Sequence, residues 1–209
     1  MTIRPISPPL LVEELADRLA AAQPGRRLRV AVDGAPAAAA QRLAAALVEP
    51  LRVRGRPAYA VAADGFLRAA SLRFEHGRTD PDAYYEGWRD DAALRREVLE
   101  PAGPAGTGRI LPSLWDPVTD RATRAAYRTL GPTEVVLVHG PLLLGGPLPF
   151  DMTVHLVLSD AALARRTPPE LAWTLPAFRR YAAEVDPASF ADVVVRADDP
   201  LRPAVVDPP

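Results

Sequence analysis

Short apolar segments separated by amphipathic ones recur along this chain. Leu28, Val30 and Val32 alternate with polar or small residues, a pattern typical of a β-strand. Residues 134–138 form a near-continuous apolar run, as expected of a strand buried on both faces of a sheet. The pattern predicts strands at residues 27–33, 58–63, 134–138, 153–158 and 192–196.

Leucines recur at helical spacing in the segments between these strands. Leu11, Leu15 and Leu19 lie four residues apart, and so do Leu43 and Leu47. Because strands alternate with helices, we predict an α/β protein with a mostly parallel sheet and helices on both faces. Helices are predicted at residues 10–22, 37–49, 91–99, 160–166 and 175–184, and a short hairpin within residues 109–128.

The chain is predicted to form one domain. Its 209 residues suit a single α/β unit, and the sequence shows neither an internal repeat nor an interdomain linker. Residues 1–26 are expected to be a loose Pro-rich lead-in followed by the first helix. The Pro-rich tail, residues 198–209, is expected to be peripheral.

Composition excludes several kinds of chemistry. The chain has no Cys, which rules out disulfides, thiolate nucleophiles and Cys-ligated metals. All 25 basic residues are Arg, so no Schiff base, lysine general base or phosphate-loop lysine exists. A net charge of −1 and the lack of a long apolar run predict neither nucleic-acid binding nor a membrane span. With no signal-peptide pattern at the start, a cytoplasmic protein is expected.

The turn after residues 27–33 stands where α/β proteins place a phosphate-binding loop. From about residue 27 to residue 200, the chain resembles the uridine kinase family of P-loop nucleoside kinases, especially its actinobacterial members. The resemblance implies a P-loop NTPase-like three-layer sandwich. The matching segments are VAVDG (30–34), ADGF (63–66), GRTDPDAYYEGW (77–88), ALRREVLEP (93–101), WDPVTDR (115–121), VVLVHG (135–140), YAAEVDP (181–187) and ADVVV (191–195).

The Walker A motif of the family is degenerate in this chain. Ala40 stands where a lysine neutralises the β- and γ-phosphates, and Gln41 is a poor substitute for the hydroxyl that holds Mg²⁺. Because a left-handed Ala costs about 1–2 kcal/mol, we predict a helix beginning near Pro36 or Ala37, capped by Asp33 or Gly34, instead of a phosphate-cradling loop. The family's nucleotide-binding positions are occupied by Gly34, Ala39, Ala40 and Gln41.

A second departure from the family is His139, which follows the apolar strand at residues 134–138. The resemblance implies an acidic residue there that helps to organise Mg²⁺, whereas an imidazole is a poor magnesium ligand. A zinc or iron site would need His76 and His155 as partners; the alternative is a histidine hydrogen-bonded at a strand end. No metal and no cofactor is predicted, and Mg-ATP is expected to bind poorly.

The acceptor side of the site is retained better. The resemblance implies that Asp64 is the catalytic base for a nucleoside 5′-hydroxyl, the alternative being a turn residue. The aromatic residues either contact a base or pack a loop on the core, and the arginines either cover a phosphate or are solvated. Asp64, Arg78, Tyr85, Trp115 and Asp116 are expected to line one cavity. Substrate-binding roles are implied for Arg78, Tyr84, Tyr85, Trp115, Asp116, Arg165 and Arg166.

Three functions stay open at this point. The first is a uridine-kinase-like protein that has lost ordinary ATP-dependent phosphoryl transfer and binds a nucleoside, nucleotide or related small ligand. The second is an active enzyme that uses Arg42, Arg165 or Arg166 in place of the lysine, or that has changed its chemistry. The third is an interaction module with a vestigial pocket. A homo-oligomer is compatible with each of them.

Overall fold

A seven-stranded sheet forms the centre of the protein, which a computed structural model describes from residue 2 to residue 207. Two further pairs of two-residue strands, β4 with β7 and β5 with β6, lie outside that sheet. The strands are β1 (Thr2–Pro5), β2 (Leu28–Gly34), β3 (Ala58–Ala62), β4 (Arg109–Ile110), β5 (Trp115–Asp116), β6 (Arg121–Ala122), β7 (Arg128–Thr129), β8 (Val135–Gly140), β9 (Met152–Val157), β10 (Val193–Arg196) and β11 (Ala204–Asp207).

The helices lie between these strands. A π-helical turn joins α5 to α6, and 3-10 segments occupy residues 36–38, 63–66, 169–174 and 187–189. The helices are α1 (Pro8–Ala21), α2 (Ala40–Val53), α3 (Ala70–Arg73), α4 (Pro81–Gly87), α5 (Asp91–Leu94), α6 (Glu100–Ala102), α7 (Asp160–Arg166) and α8 (Leu175–Glu184). α1, α2, α7 and α8 agree with predicted segments, whereas α4 lies in none of them. Within residues 2–207, none of them has both the length and the apolar character needed to cross a bilayer.

The sheet order is β1-β11-β10-β9-β2-β8-β3, and the five strands from β10 to β3 are parallel. The five predicted strands and their parallel arrangement are therefore confirmed. β2 lies in the middle, where Val32 is in register with His139 of β8 and with Val154 of β9. Because parallel strands end at one edge, the residues that follow β2, β3 and β8 meet there.

The two ends of the chain differ from the prediction. Instead of a loose lead-in and a peripheral tail, Thr2–Pro5 pairs antiparallel with Ala204–Asp207, and Ala204–Asp207 pairs antiparallel with β10. Val205 and Val206 are buried. Each of these short strands needs the other as its pairing partner, so neither has a strong pattern of its own in the sequence.

Alternating side chains of the central strands pack on opposite faces of the sheet. Val30 joins the core that also contains leucines of α1 and α2, whereas Ala31 joins the core that contains Leu94 of α5 and Tyr181 of α8. Val136 and Leu137 of β8 divide between the same two cores. Helices therefore cover both faces, and the predicted three-layer α/β architecture is confirmed.

Candidate functional site

A cavity of about 660 Å³ opens at the carboxyl ends of β2, β3 and β8. This volume lies within the range of small-molecule sites, and open α/β sheets bind their ligands at this edge. The loop at residues 34–41 forms one side of the cavity. Residues of α4 and of the 3-10 segment at residues 169–174, here named the strap, form the other side.

The loop at residues 34–41 differs from the predicted continuous helix. Pro36–Ala38 form a 3-10 turn, Ala39 is left-handed (φ 61°, ψ 42°), and α2 begins only at Ala40. The prediction of a helix from Pro36 or Ala37 is therefore wrong. The chain must redirect between the end of β2 and the axis of α2, and one left-handed residue makes that bend despite its strain.

Hydrogen bonds inside the loop use two of its amides. The N–H of Ala38 donates to Ala35 O at 2.7 Å, and the N–H of Ala39 donates to Pro36 O at 3.1 Å. These two amides are thus committed to the turn and are not offered to an anion. The start of α2 carries no capping side chain.

Gly34 is needed where the loop crosses the neighbouring strand. A Cβ placed there would lie 3.0 Å from the Cβ of Leu156 and 3.2 Å from the Cβ of Ala38. Both distances are tighter than ordinary carbon contacts, so a side chain at this position would require Leu156 or Ala38 to shift by a few tenths of an ångström.

Asp33 is fully buried under the loop and does not cap a helix, contrary to the prediction. Its Oδ1 accepts the N–H of Leu143 at 2.8 Å, and its Oδ2 lies 2.7 Å from Nδ1 of His155 and 3.1 Å from the Tyr181 hydroxyl. That hydroxyl accepts the N–H of Leu144 at 3.0 Å. Burial and the nearby charge of Asp33 raise the pKa of the Tyr181 hydroxyl. The hydroxyl therefore stays protonated and donates to Asp33. The network ties β2, β9, α8 and the chain after β8 together beneath the cavity.

Asp64 lies at the end of β3 and faces the cavity, as predicted from its sequence position. Its side chain is accessible from the cavity, yet the surrounding protein excludes enough water that burial raises the pKa of the carboxyl group. The charge of His139, in its protonated form, and that of Arg89 oppose this rise. Asp64 is therefore a carboxylate that a ligand can reach inside a partly dehydrated site.

His139 ends β8 beside Asp64 and lines the floor of the cavity. Burial lowers the pKa of His139, and Asp64 only partly offsets that effect, so the imidazole is neutral near pH 7. The other two histidines are elsewhere: His76 is exposed and His155 is held by Asp33. Among residues 2–207, no group of three or more His, Asp or Glu side chains is placed to hold a metal ion.

Arg89 is a cavity residue that sequence reasoning missed. Its Nε donates to Asp91 at 2.5 Å, and its Nη1 and Nη2 donate to the carbonyls of Pro141 and Leu142, each at 2.7 Å. The guanidinium group is thereby fixed between α5 and the segment after β8. The only signal in the sequence was its position directly after the family-like segment 77–88.

Three aromatic rings form a wall of the cavity across from the loop at residues 34–41. The ring of Tyr84 lies 5.0 Å from that of Trp88 and 5.5 Å from that of Trp173, and the two indoles lie 5.4 Å apart. All three line the cavity, as does Tyr85. Tyr84, Trp88 and Trp173 are called the aromatic wall below. Trp173 belongs to the strap, so the wall joins α4 to the strap.

Arg180 connects α8 with α4 through several acidic side chains. Its guanidinium lies 3.0 Å from Asp82, 2.8 Å from Glu86 and 2.8 Å from Glu184, and 4.5 Å from the ring of Tyr85. These contacts raise the pKa of Arg180 and keep it charged. The ion pairs therefore tie α4 to α8, the helix that directly follows the strap.

Three other predicted site residues lie away from this cavity. Arg78 is exposed, with its guanidinium 5.0 Å from the ring of Phe74. Trp115 donates from Nε1 to Asp120 at 2.9 Å and lines a separate cavity of about 320 Å³. Asp116 accepts the hydroxyl of Thr119 within the β5–β6 hairpin. The expectation that Arg78, Trp115 and Asp116 line one cavity with Asp64 and Tyr85 is wrong, because the hairpin packs beside α3 instead.

The two arginines predicted to cover a phosphate are also outside the cavity. Arg166, at the end of α7, donates to the carbonyl of Ala197, and Arg165 is exposed on the same helix. The strap, with Leu171, Trp173 and Thr174, lines the cavity in their place.

Comparison with known proteins identifies the fold. No protein-family model and no curated protein sequence matches the chain. A possible uridine kinase from Bacillus stearothermophilus matches 88% of this chain and 96% of its own, with a TM-score of 0.71 and 19% identity. A candidate fructose transport system kinase from Silicibacter sp. TM1040 matches 86% of this chain and 89% of its own, with a TM-score of 0.56 and 24% identity. The chain has the fold of a P-loop kinase.

A third similar structure has a more distant relationship to this P-loop kinase fold. D-glycerate 3-kinase from Cryptococcus neoformans matches over 83% of this chain and 80% of its own, with a TM-score of 0.50 and 14% identity. The resemblance predicted from the sequence is confirmed at the level of the fold. Since folds of this kind serve several substrates, the activity must be argued from the site.

Proposed function

We propose that this P-loop kinase fold binds a nucleoside or a nucleoside-like small molecule and no longer performs ordinary phosphoryl transfer from Mg-ATP. The observation that carries the proposal is the charge of the cavity. Its walls contain three carboxylates, Asp64, Glu86 and Asp91, but only two guanidinium groups, those of Arg42 and Arg89.

This charge balance disfavours a nucleoside triphosphate. With His139 neutral and Glu86 paired with Arg180, the remaining charges of the walls balance: Asp64 and Asp91 against Arg42 and Arg89. Arg89 is already paired with Asp91, which leaves only Arg42 to meet a polyphosphate that bears several negative charges. An uncharged ligand needs no further positive charge.

The residues at the donor side do not fit Mg-ATP. A phosphate loop offers a lysine, a hydroxyl and free amides, whereas this loop offers the methyl group of Ala40, the amide of Gln41 and two amides that are already bonded. His139 supplies an imidazole where Mg²⁺ prefers oxygen. No phosphoryl-transfer step is therefore assigned to these residues.

The acceptor side offers the contacts that a nucleoside needs. The carboxylate of Asp64 is reachable from the cavity and accepts hydrogen bonds from a ligand hydroxyl, a charge-assisted contact. The aromatic wall supplies apolar surface for a flat ring. A sugar at Asp64 and a base at the aromatic wall account for both features.

An active enzyme is the second candidate, and one observation favours it. Arg42 lines the cavity on the first turn of α2, whereas Arg165 and Arg166 do not line it. If an arginine replaces the lysine, that arginine is Arg42. Nucleoside phosphorylation by the wild type that is lost in Arg42→Gln would establish this candidate.

A thermal-shift screen tests the proposal. Uridine, cytidine, adenosine, their 5′-monophosphates and ATP are compared with and without Mg²⁺. A nucleoside at a hundred times its Kd should stabilise the protein by about 2.7 kcal/mol, whereas Mg-ATP should give no shift. Asp64→Asn should reduce the nucleoside shift, and Asp17→Asn, an exposed carboxylate on α1, should leave it intact. A rise in melting temperature with Mg-ATP, and with none of the nucleosides, would reject the proposal.

A further inference from the structure

The indole nitrogen of Trp88 is an exception to the hydrogen bonding of the interior. Within residues 2–207, it is the one buried side-chain nitrogen or oxygen atom without a hydrogen-bond partner. Buried polar groups in folded proteins are nearly always paired, so an unpaired donor requires an explanation. Trp88 follows α4 directly and lines the cavity.

The neighbours of this indole do not supply an acceptor. The rings of Phe74, Tyr84 and Trp173 surround it at 5.0 to 5.5 Å between centroids. The guanidinium of Arg73, which is itself a donor, lies 5.2 Å from the indole ring. Trp115 shows the contrast, because its Nε1 donates to Asp120 at 2.9 Å in the hairpin.

We propose that Trp88 is a specificity-determining residue whose Nε1–H donates to an in-plane acceptor on an uncharged heteroaromatic ring of the ligand. This inference rests on the proposed function and specifies what the ring must carry, namely a carbonyl oxygen or an unprotonated ring nitrogen. A benzene-like ring of the same size lacks such an acceptor. The Arg73 guanidinium beside the indole already donates to the carbonyl of Arg68 and pairs with Asp120, which favours an uncharged acceptor over an anionic one.

The acceptor reaches the indole when one of the enclosing rings moves. Trp173 is the ring best placed to do so, since it belongs to the short 3-10 strap, in which Leu171 and Ala172 are exposed. Phe74 and Tyr84, by contrast, belong to the segment of the chain that leads to Trp88 itself. Movement of Trp173 opens the side of the indole that faces the cavity.

An unpaired buried donor gives the site selectivity. A ring with a matching acceptor gains the hydrogen bond, whereas a ring without one leaves the donor unpaired and dehydrated. Sites that present buried polar groups reject analogues without the partner more strongly than apolar sites reject a change of size. Trp88 thus favours ligands by their acceptors and not only by their shape.

The test compares uridine with phenyl riboside, which has the same sugar and a ring without acceptors. Calorimetry on the wild type should show roughly tenfold tighter binding of uridine. In Trp88→Phe this preference should disappear, while the affinity for phenyl riboside changes little. A packing role alone would weaken both ligands equally, so the ratio of the two affinities separates the interpretations.

A second measurement follows the N–H directly. In protein labelled with ¹⁵N at tryptophan, the Trp88 indole signal, identified by its loss in Trp88→Phe, should shift with uridine but not with phenyl riboside. Trp115, whose N–H is already bonded, serves as the reference signal. Uridine binding with an unchanged affinity ratio in Trp88→Phe overturns this assignment alone. If the wild type binds neither riboside, the proposed function fails, and the assignment fails with it.

Discussion

The loop at residues 34–41 and the aromatic wall face each other across one cavity, but they differ in what they offer a ligand. The loop keeps its place in the fold and the bend at Ala39, yet it lacks the lysine and the hydroxyl that hold a triphosphate, and the amides of Ala38 and Ala39 are bonded within the loop. The aromatic wall offers ring surface beside the accessible carboxylate of Asp64. Under the proposed function, the backbone of the fold persists on both sides of the site while the ligand-binding chemistry persists on only one.

Restoring the loop should have the largest effect. The lysine, the threonine and the strand-end acid each supply a charge-based contact, and two of them at about 2 kcal/mol each amount to roughly a thousandfold in Mg-ATP affinity. Calorimetry should then detect Mg-ATP binding, with slow nucleoside phosphorylation, since Arg165 and Arg166 do not line the cavity. The variant combines Ala37→Gly, Ala39→Gly, Ala40→Lys, Gln41→Thr and His139→Asp.

A quintuple variant that folds but still ignores ATP would contradict this expectation. It would show that the cavity is remodelled beyond the loop, for instance by the strap. Circular dichroism and a melting curve establish folding first. The affinity for uridine serves as the control for the aromatic wall, across the cavity from the loop.

Asp64→Asn should give the next largest effect, on the acceptor side. Loss of a charge-assisted hydrogen bond of about 1.5–3 kcal/mol should weaken nucleoside binding roughly ten- to a hundredfold. Since burial raises the pKa of Asp64, wild-type affinity should be full above that pKa and fall as the pH drops through it. Titrations across pH check both points, and an unaltered pH profile in Asp64→Asn would remove Asp64 from the site.

Strong local patterns account for the part of the fold that could be predicted. The alternation of Leu28, Val30 and Val32 and the apolar run in β8 reflect burial on both faces, which the sequence displays directly. The edge strand at Thr2–Pro5 pairs with Ala204–Asp207 from the other end of the chain, and Ala204–Asp207 in turn pairs with β10. No window of sequence contains both partners, and prolines beside them suggested loops.

The candidate site was predictable where a residue ends a strand and, for Tyr84 and Tyr85 of α4, where the segment 77–88 resembles the family. Asp64 and His139 were found because they follow β3 and lie at the end of β8, respectively. The network around Asp33 joins residues more than a hundred positions apart, and Arg89 acts through carbonyls that no motif encodes. Trp115 and Asp116 match a motif, but their hairpin packs at another place.

Ala39→Gly, in the loop at residues 34–41, should stabilise the protein. A left-handed Ala costs about 1–2 kcal/mol, and after allowing for the more flexible unfolded chain, glycine should raise the free energy of unfolding by roughly 0.5–1 kcal/mol. Ala45→Gly, at an exposed position inside α2, should lower it by about 1 kcal/mol. Urea unfolding measures the free energy of unfolding of both variants. A lower value in both would mean that Ala39 is not left-handed.

Arg180→Gln should have the smallest effect. Without the ion pairs to Asp82 and Glu86, the strap is held less firmly, so nucleoside dissociation should accelerate a few-fold in stopped-flow measurements. Because these partners are exposed, added salt should move the wild type in the same direction. The neighbouring Arg179→Gln, which lies 4.0 Å from Asp160, is the control and should behave as wild type.

Calorimetric titration of the wild type, once with uridine and once with Mg-ATP, tests the difference between the two sides most directly. We expect measurable heat and a single site for uridine, and no saturable binding for Mg-ATP at millimolar concentration. Micromolar affinity for Mg-ATP would contradict the account and would favour a kinase that uses Arg42 at its donor side.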